Sequence, residues 1–171
     1  ASRLTSVSGA ELVAHENAVD RLADPDGYLA QEQDFFTPFL TSMGMPKQVA
    51  ETTVELTEPY ATFRDPVTVD ETLTEGARVD IGPELEAVHT PGHSPGSVCF
   101  VDPADGTTFT GDHVLPEISP NPLLTLAPGT SAQRTRSLPT YLESLRKLQA
   151  IDIGVTVGYA GHRGTISDVD A

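Results

Sequence analysis

The spacing of apolar residues changes along this chain, and that change constrains the fold more than any other feature. The apolar side chains of Tyr28–Met43 recur at helical spacing, and a second helix is predicted over Pro46–Tyr60. From Val67 the period falls to two, which is typical of strands. A later helix is predicted over Ser137–Ile151. These elements predict a mixed α/β (α+β) fold in which helices cover sheet layers.

Seven short segments are predicted strands, and two of them form a hairpin around the turn Asp102–Gly106. The strand segments are Glu11–His15, Val67–Val69, Ala77–Ile81, Leu85–His89, Ser97–Val101, Thr107–Thr110 and Ile153–Val157. One or two helical turns are predicted near the start of the chain, over Asn17–Leu22.

Charge and composition exclude some classes of partner. The 171 residues suit a single domain, and 25 Asp and Glu against 10 Lys and Arg give a formal net charge of −15. Such a surface repels a phosphate backbone, so no nucleic-acid partner is expected. No apolar run reaches membrane-spanning length, so no membrane partner is expected either. The single cysteine, Cys99, lies in an apolar run and is predicted to be buried, which is consistent with a cytoplasmic protein.

Three segments place a His or Asp at a predicted strand end beside Gly or Pro. They are Thr90–Ser97 with His93, Thr110–His113 with Asp112, and Ala160–Gly164 with His162. Imidazole and carboxylate groups are common ligands of Zn²⁺, Fe and Mn²⁺. A lone His beside Gly is usually a turn residue, but the order and spacing of all three segments are much more specific.

This arrangement resembles the metallo-β-lactamase superfamily, which includes glyoxalase II. The resemblance implies that His93 binds a first metal, that Asp112 bridges two metals and is catalytic, and that His162 binds the second. It also implies an αββα sandwich with the metals at one edge between two sheets. The segments Gly111–Pro116 and Pro120–Pro122 are similar to a subgroup with a helical insertion, here residues 28–62.

The chain departs from the family at its start. The family's His-x-His-x-Asp-His loop is absent, and the eight residues before Gly9 include no His or Asp. The N-terminal strands of the first sheet are missing too. We therefore expect residues 1–171 to be one truncated domain whose parent carries the loop. Ala160 and Arg163 also stand where the family often has Pro and Gly. If one of the three ligand residues is shared by two metals, each metal has two protein contacts. So few contacts predict weak metal binding.

The resemblance implies a metal-dependent hydrolase that uses a metal-bridging hydroxide on an ester, thioester, lactam or phosphoester. Its cofactors would be two divalent ions, zinc first and iron or manganese as alternatives, and its partner a small-molecule substrate. The 171-residue chain alone is predicted to have little or no activity, and a homodimer is left open. Two alternatives are a non-catalytic acidic interaction domain with the same fold and a mononuclear lyase or oxygenase.

The remaining histidines are interpreted as supporting residues. His89 is expected at a strand end or behind a ligand, His113 is expected to face away from Asp112, and His15 is expected on the surface. Four aromatic residues at helical spacing in the first long helix are expected to be core more often than pocket lining. They are Tyr28, Phe35, Phe36 and Phe39.

Overall fold

Helices dominate the first third of the chain and strands most of the remainder, as the change in period predicts. The computed structural model describes residues 2–55, 65–151 and 156–167. The helices are α1 (Ser2–Ser8), α2 (Val19–Ala23), α3 (Pro25–Ser42), α4 (Lys47–Glu55) and α5 (Ser137–Gln149). The strands are β1 (Val13–His15), β2 (Glu71–Leu73), β3 (Arg78–Asp80), β4 (Glu84–His89), β5 (Val98–Val101), β6 (Thr107–Gly111), β7 (Val157–Ala160) and β8 (Thr165–Ile166).

The chain forms two compact units. One comprises Ala1–Val13, Val19–Glu71 and Leu126–Arg134, and contains the helices α1 to α4. The other comprises Ala14–Ala18, Thr72–Thr125 and Thr135–Ala171, and contains a six-stranded sheet with α5. Within the described ranges, no helix is both long enough and apolar enough to cross a membrane.

The six-stranded sheet has the order β3-β4-β5-β6-β7-β8, and only β6 and β7 pair in parallel. The predicted hairpin is confirmed by the antiparallel pair β5–β6, in which Phe100 lies opposite Phe109. Because β4 and β6 each run antiparallel to β5, these two strands and β7 point the same way. The loops that follow β4, β6 and β7 therefore leave the sheet at one edge.

The described core of this unit lies between the sheet and α5. Val88, Cys99 and Val101 are buried together, and Leu148 and Ile151 pack against them. The predicted burial of Cys99 is confirmed, and burial raises the pKa of its thiol to about 11. This thiol therefore stays protonated and unreactive at neutral pH.

The helix α3 begins at a cap that the sequence encodes. The Asp24 carboxylate accepts a hydrogen bond from the Gly27 amide at 2.9 Å, and Pro25 occupies the first helical position. Phe36 is buried as expected, whereas Phe35 and Phe39 line a groove of about 620 Å³ on the same unit.

Two strand predictions need correction or lie partly outside the described residues. Val67–Val69 is not a strand, because the Val67 amide donates to the Leu22 carbonyl, and the nearby strand is β2. Of the predicted strand 153–157, residues 153–155 are outside the described part, and β7 is described from residue 157. Residues 56–62 of the predicted insertion are also outside it.

Candidate metal centre

The three loops that leave the common edge of the sheet bring the predicted ligands together. The Asp112 carboxylate lies between two imidazoles. Its Oδ2 is 3.8 Å from Nε2 of His93, and its Oδ1 is 3.2 Å from Nε2 of His162. Each carboxylate oxygen thus faces a different ring nitrogen.

Hydrogen bonding determines which nitrogen of His93 faces Asp112. Nδ1 of His93 lies 2.9 Å from the backbone carbonyl oxygen of Asn121. A carbonyl oxygen only accepts, so Nδ1 carries a hydrogen, and Nε2 is the ring nitrogen that faces Asp112. Metal-binding histidines commonly have their second nitrogen held in this way.

The loop that carries His93, residues 90–97, is packed tightly against α5. Gly92 has φ +139°, and a Cβ there would lie 2.5 Å from the Cα of Tyr141. The hydroxyl of Ser144 donates to the Pro91 carbonyl at 2.7 Å. Only glycine therefore fits at position 92, and α5 fixes the first half of the loop.

Two glycines set the position of the Asp112 carboxylate, one by its backbone conformation and one by the space that it leaves. Gly111 has φ +51° just before it, where the register between β6 and β7 shifts. A Cβ on Gly161 would lie 2.4 Å from Oδ1 of Asp112. The Gly161 amide also donates to the Gly111 carbonyl at 2.7 Å, which joins the Asp112 loop to the His162 loop.

The loop that carries His162 is more open. The His162 side chain is 65% exposed, compared with 27% for His93 and 38% for Asp112. Arg163 follows with φ +66°, a left-handed conformation that non-glycine residues adopt at a cost. Its guanidinium lies 3.2 Å from the carboxylate of Glu117, in an exposed ion pair.

The donor atoms on the three loops are of kinds that bind divalent metals, although they are few. Among residues 2–55, 65–151 and 156–167, no group of three or more His, Cys, Asp or Glu side chains could enclose a single ion. Instead, the described residues provide two pairs, each with one imidazole nitrogen and one carboxylate oxygen. Nitrogen and oxygen donors suit zinc, iron and manganese, but each ion would need further ligands.

His113 is buried beside the site and does not take part in the convergence of the three ligands. Its ring meets Tyr141 edge-on at 4.9 Å, and neither ring nitrogen has a hydrogen-bond partner among the described residues. Burial, and secondarily the nearby His93, lower the pKa of His113 to about 4. His113 is therefore neutral at physiological pH.

The expectation for His15 is wrong. Its side chain is buried, with only 5% of the residue exposed, and its ring stacks on His89 with centroids 3.6 Å apart. Burial and the neighbouring His89 lower the pKa of His15. The expectation that His89 lies at a strand end is confirmed, since β4 ends there.

Sequence reasoning missed the residues that hold the ligands in place. Asn121 contacts His93 through its backbone, so its side chain gives no signal. Tyr141 and Ser144 look like ordinary positions on α5, but they contact the loop at Gly92 and Pro91. The Gly-Pro composition of residues 90–97 was a signal for tight packing, but it did not identify the partner.

Comparison with known proteins points to one family. The family model described as the metallo-beta-lactamase superfamily matches residues 4–162. The atrochrysone carboxyl ACP thioesterase AacuM of Aspergillus aculeatus is 39% identical over 89 residues, 52% of this chain and 24% of that protein. The hydroxyacylglutathione hydrolase of Mesorhizobium japonicum is 35% identical over 101 residues, 58% of this chain and 35% of that protein.

Solved structures share the fold. A metallo-beta-lactamase family protein from Thermus thermophilus superposes with a TM-score of 0.69 at 27% identity, covering 97% of this chain and 51% of that protein. TTHA1623, solved in a di-iron-bound form, gives a TM-score of 0.55 at 20% identity, covering 97% of this chain and 64% of that one. The chain thus spans about half of the Thermus thermophilus protein, and its alignments span a quarter to a third of these two curated relatives.

Proposed function

Because this chain belongs to the metallo-β-lactamase superfamily, we propose that it carries half or more of the metal site of a metal-dependent hydrolase. The observation that carries the proposal is the position of Asp112, whose two carboxylate oxygens face Nε2 of His93 and Nε2 of His162. A carboxylate shared in this way matches the role of a residue that bridges two ions. His93 and His162 would each hold one ion, with zinc first and iron or manganese as alternatives.

The bound ions would supply Lewis acidity at the scissile carbonyl and lower the pKa of an attacking water. The chain's own residues do the positioning. The Asn121 carbonyl keeps the hydrogen of His93 on Nδ1, so that Nε2 stays available as a ligand. Gly161 leaves the space in which the Asp112 carboxylate lies. The partial exposure of Asp112 and His162 gives substrate and water access to this side of the site.

Thioesters are the substrate class that we propose first. One relative is named as an acyl carrier protein thioesterase and another as a hydrolase of hydroxyacylglutathione. Both names describe an acyl group carried on a thiol. Esters, lactams and phosphoesters remain alternatives, since one fold supports many chemistries. The proposed partner is a small molecule, and a cytoplasmic location and a homodimer stay as predictions.

Metal titration tests the proposal. Isothermal titration of Zn²⁺ and of Mn²⁺ into the chain should detect weak binding, and Asp112→Asn should reduce the affinity by about tenfold or more. Asparagine has the shape of aspartate without its charge, so we expect the Asp112→Asn variant to keep the fold. The only thiol of the chain, Cys99, is buried and does not compete for metal. Equal binding by the parent chain and Asp112→Asn would contradict the proposal.

Thioester hydrolysis can be followed through the released thiol. The buried Cys99, with its raised pKa, contributes little background to a thiol reagent. We expect the metal-loaded chain alone to release thiol slowly or not at all from an acyl-glutathione substrate, because each ion would be held by one histidine and Asp112 among the described residues. Rapid release by the chain would show that other residues complete the site.

A further inference from the structure

His89, the last residue of β4, is held by its backbone as well as its ring. Its amide donates to the Glu75 carboxylate at 2.8 Å, and its carbonyl accepts a hydrogen bond from the Lys147 ammonium group. Lys147 also pairs with Glu75 at 2.9 Å. Burial acts to raise the pKa of Glu75, but the hydrogen bonds from Lys147 and the His89 amide outweigh it and lower the pKa. Glu75 therefore remains charged and keeps these contacts at neutral pH.

The ring of His89 reaches across the base of the loop that carries His93. Nε2 of His89 lies 2.8 Å from the carbonyl oxygen of Pro95. Since that oxygen only accepts, Nε2 carries a hydrogen and donates it. The loop leaves β4 at His89 and returns at Val98, the residue opposite His89 in β5. The hydrogen bond to Pro95 therefore connects the start of the loop to its returning half.

His15 fixes the plane of the His89 ring. The two rings are nearly parallel, with an interplanar angle of 12°. Nδ1 of His15 accepts a hydrogen bond from the Asn17 amide at 3.1 Å, which fixes the His15 ring in turn. The stacked ring limits the rotation of His89 about its χ2 angle and keeps Nε2 directed at Pro95.

We infer that His89 is a positioning residue for His93. Within the loop, α5 holds the outgoing half through Pro91 and Gly92, and His89 holds the returning half through Pro95. His93 lies between these two anchors. His89 thus acts on the metal site through the loop, and its Nε2 is occupied by Pro95. The inference rests on the proposed function where it concerns metal affinity, but the contact itself can be tested without metal.

Two substitutions separate the hydrogen bond from the packing. His89→Phe keeps a flat ring against His15 and removes the donor. His89→Gln removes the ring and places an amide N–H donor at about the reach of the imidazole Nε2. Amide hydrogen exchange of residues 90–97 reports the order of the loop without metal. Exchange in β5 and β6 serves as the internal control for global stability. Zinc affinity, measured by isothermal titration, reports the consequence for the site.

We expect His89→Phe to speed exchange in the loop by about tenfold, with β5 and β6 unchanged, and to weaken zinc binding by about tenfold. His89→Gln should restore most of both. Unchanged loop exchange in His89→Phe would overturn the inference, as would His89→Gln behaving like His89→Phe. If the parent chain binds no zinc, the proposed function fails, and the exchange measurement alone then decides the inference.

Discussion

The loops that carry His93 and His162 differ in how firmly they are held. Three contacts hold the His93 loop. Tyr141 packs against Gly92, the Ser144 hydroxyl donates to the Pro91 carbonyl, and the His89 ring donates to the Pro95 carbonyl. In the loop of residues 161–164, by contrast, the described contacts are the backbone bond from Gly161, the pair of His162 with Asp112 and the exposed pair of Arg163.

This difference predicts that the two halves of the proposed site differ in their affinity for a metal ion. A ligand whose rotamer and tautomer are already fixed loses little conformational entropy on binding an ion. His93 would be such a ligand, because Asn121 and the packed loop orient its ring. His162, which is more exposed, has more freedom to lose. We therefore expect the His93 half to bind the first ion and the His162 half to bind the second more weakly.

Glycine substitutions in the two loops should differ most in their effect on stability. Gly92→Ala forces a Cβ against the backbone of Tyr141 at φ +139°, so unfolding free energy should fall by about 3 kcal/mol or more. Gly164→Ala meets no atom within 4 Å and strains only φ, at +101°, so it should cost about 1 kcal/mol. Urea unfolding measures both. Equal losses would show that the two loops are packed alike.

Removing each histidine should separate the two halves of the site. His93→Ala should weaken the tighter zinc-binding step by about tenfold to a hundredfold, because it removes the oriented ligand. His162→Ala should leave that step nearly unchanged and affect only the weaker one. Isothermal titration with zinc distinguishes the two steps. If His162→Ala weakened the tighter step more than His93→Ala does, the His162 half would be the tighter one, contrary to this prediction.

Acid should lower the free energy of unfolding through His15, whose ring stacks on His89 behind the His93 loop. The folded state lowers the pKa of His15 below its ordinary value of 6.5. The unfolded chain therefore takes up a proton first as the pH falls, and stability is lost below about pH 6.5 until the folded pKa is passed. His15→Phe keeps the stacking and removes this titration, so its unfolding free energy should fall less between pH 7 and 5. Identical pH profiles for the two chains would contradict the burial of a neutral His15.

Substitution of Arg163 should change the free energy of unfolding only slightly. Glycine at this position relieves the left-handed backbone at φ +66°, and loses an exposed ion pair with Glu117 that contributes little. We expect Arg163→Gly to change unfolding free energy by less than about 1 kcal/mol, in the stabilising direction. Thermal unfolding provides the measurement. A clear destabilisation would mean that Arg163 holds the His162 loop more firmly than its contacts indicate.

The elements and the ligands could be predicted because their signals are local. Period-two and helical patterns placed β3 to β6 and α5 within a few residues, and the Gly-rich strand ends marked His93, Asp112 and His162. The strand order then brings the three together, since β4, β6 and β7 end at the same edge. The metal-binding roles of these residues remain predictions.

The supporting contacts could not be predicted because they join distant parts of the chain. Tyr141 on α5 meets Gly92 in the loop after β4, and His15 at the end of β1 meets His89 at the end of β4. Neither pair has a sequence pattern of its own. The same reason explains the error at Val67, whose amide bonds to Leu22 rather than to a strand.

A crystal structure of the chain with zinc, with diffraction data recorded at the zinc absorption edge, would show whether Asp112 bridges two ions. We expect anomalous peaks on both sides of Asp112, each about 2.0–2.2 Å from one of its oxygens. One peak should lie beside Nε2 of His93 and be the more fully occupied, and the other beside Nε2 of His162. Zinc bound only at other residues, or a single ion that leaves one carboxylate oxygen and its histidine unused, would contradict the shared role of Asp112.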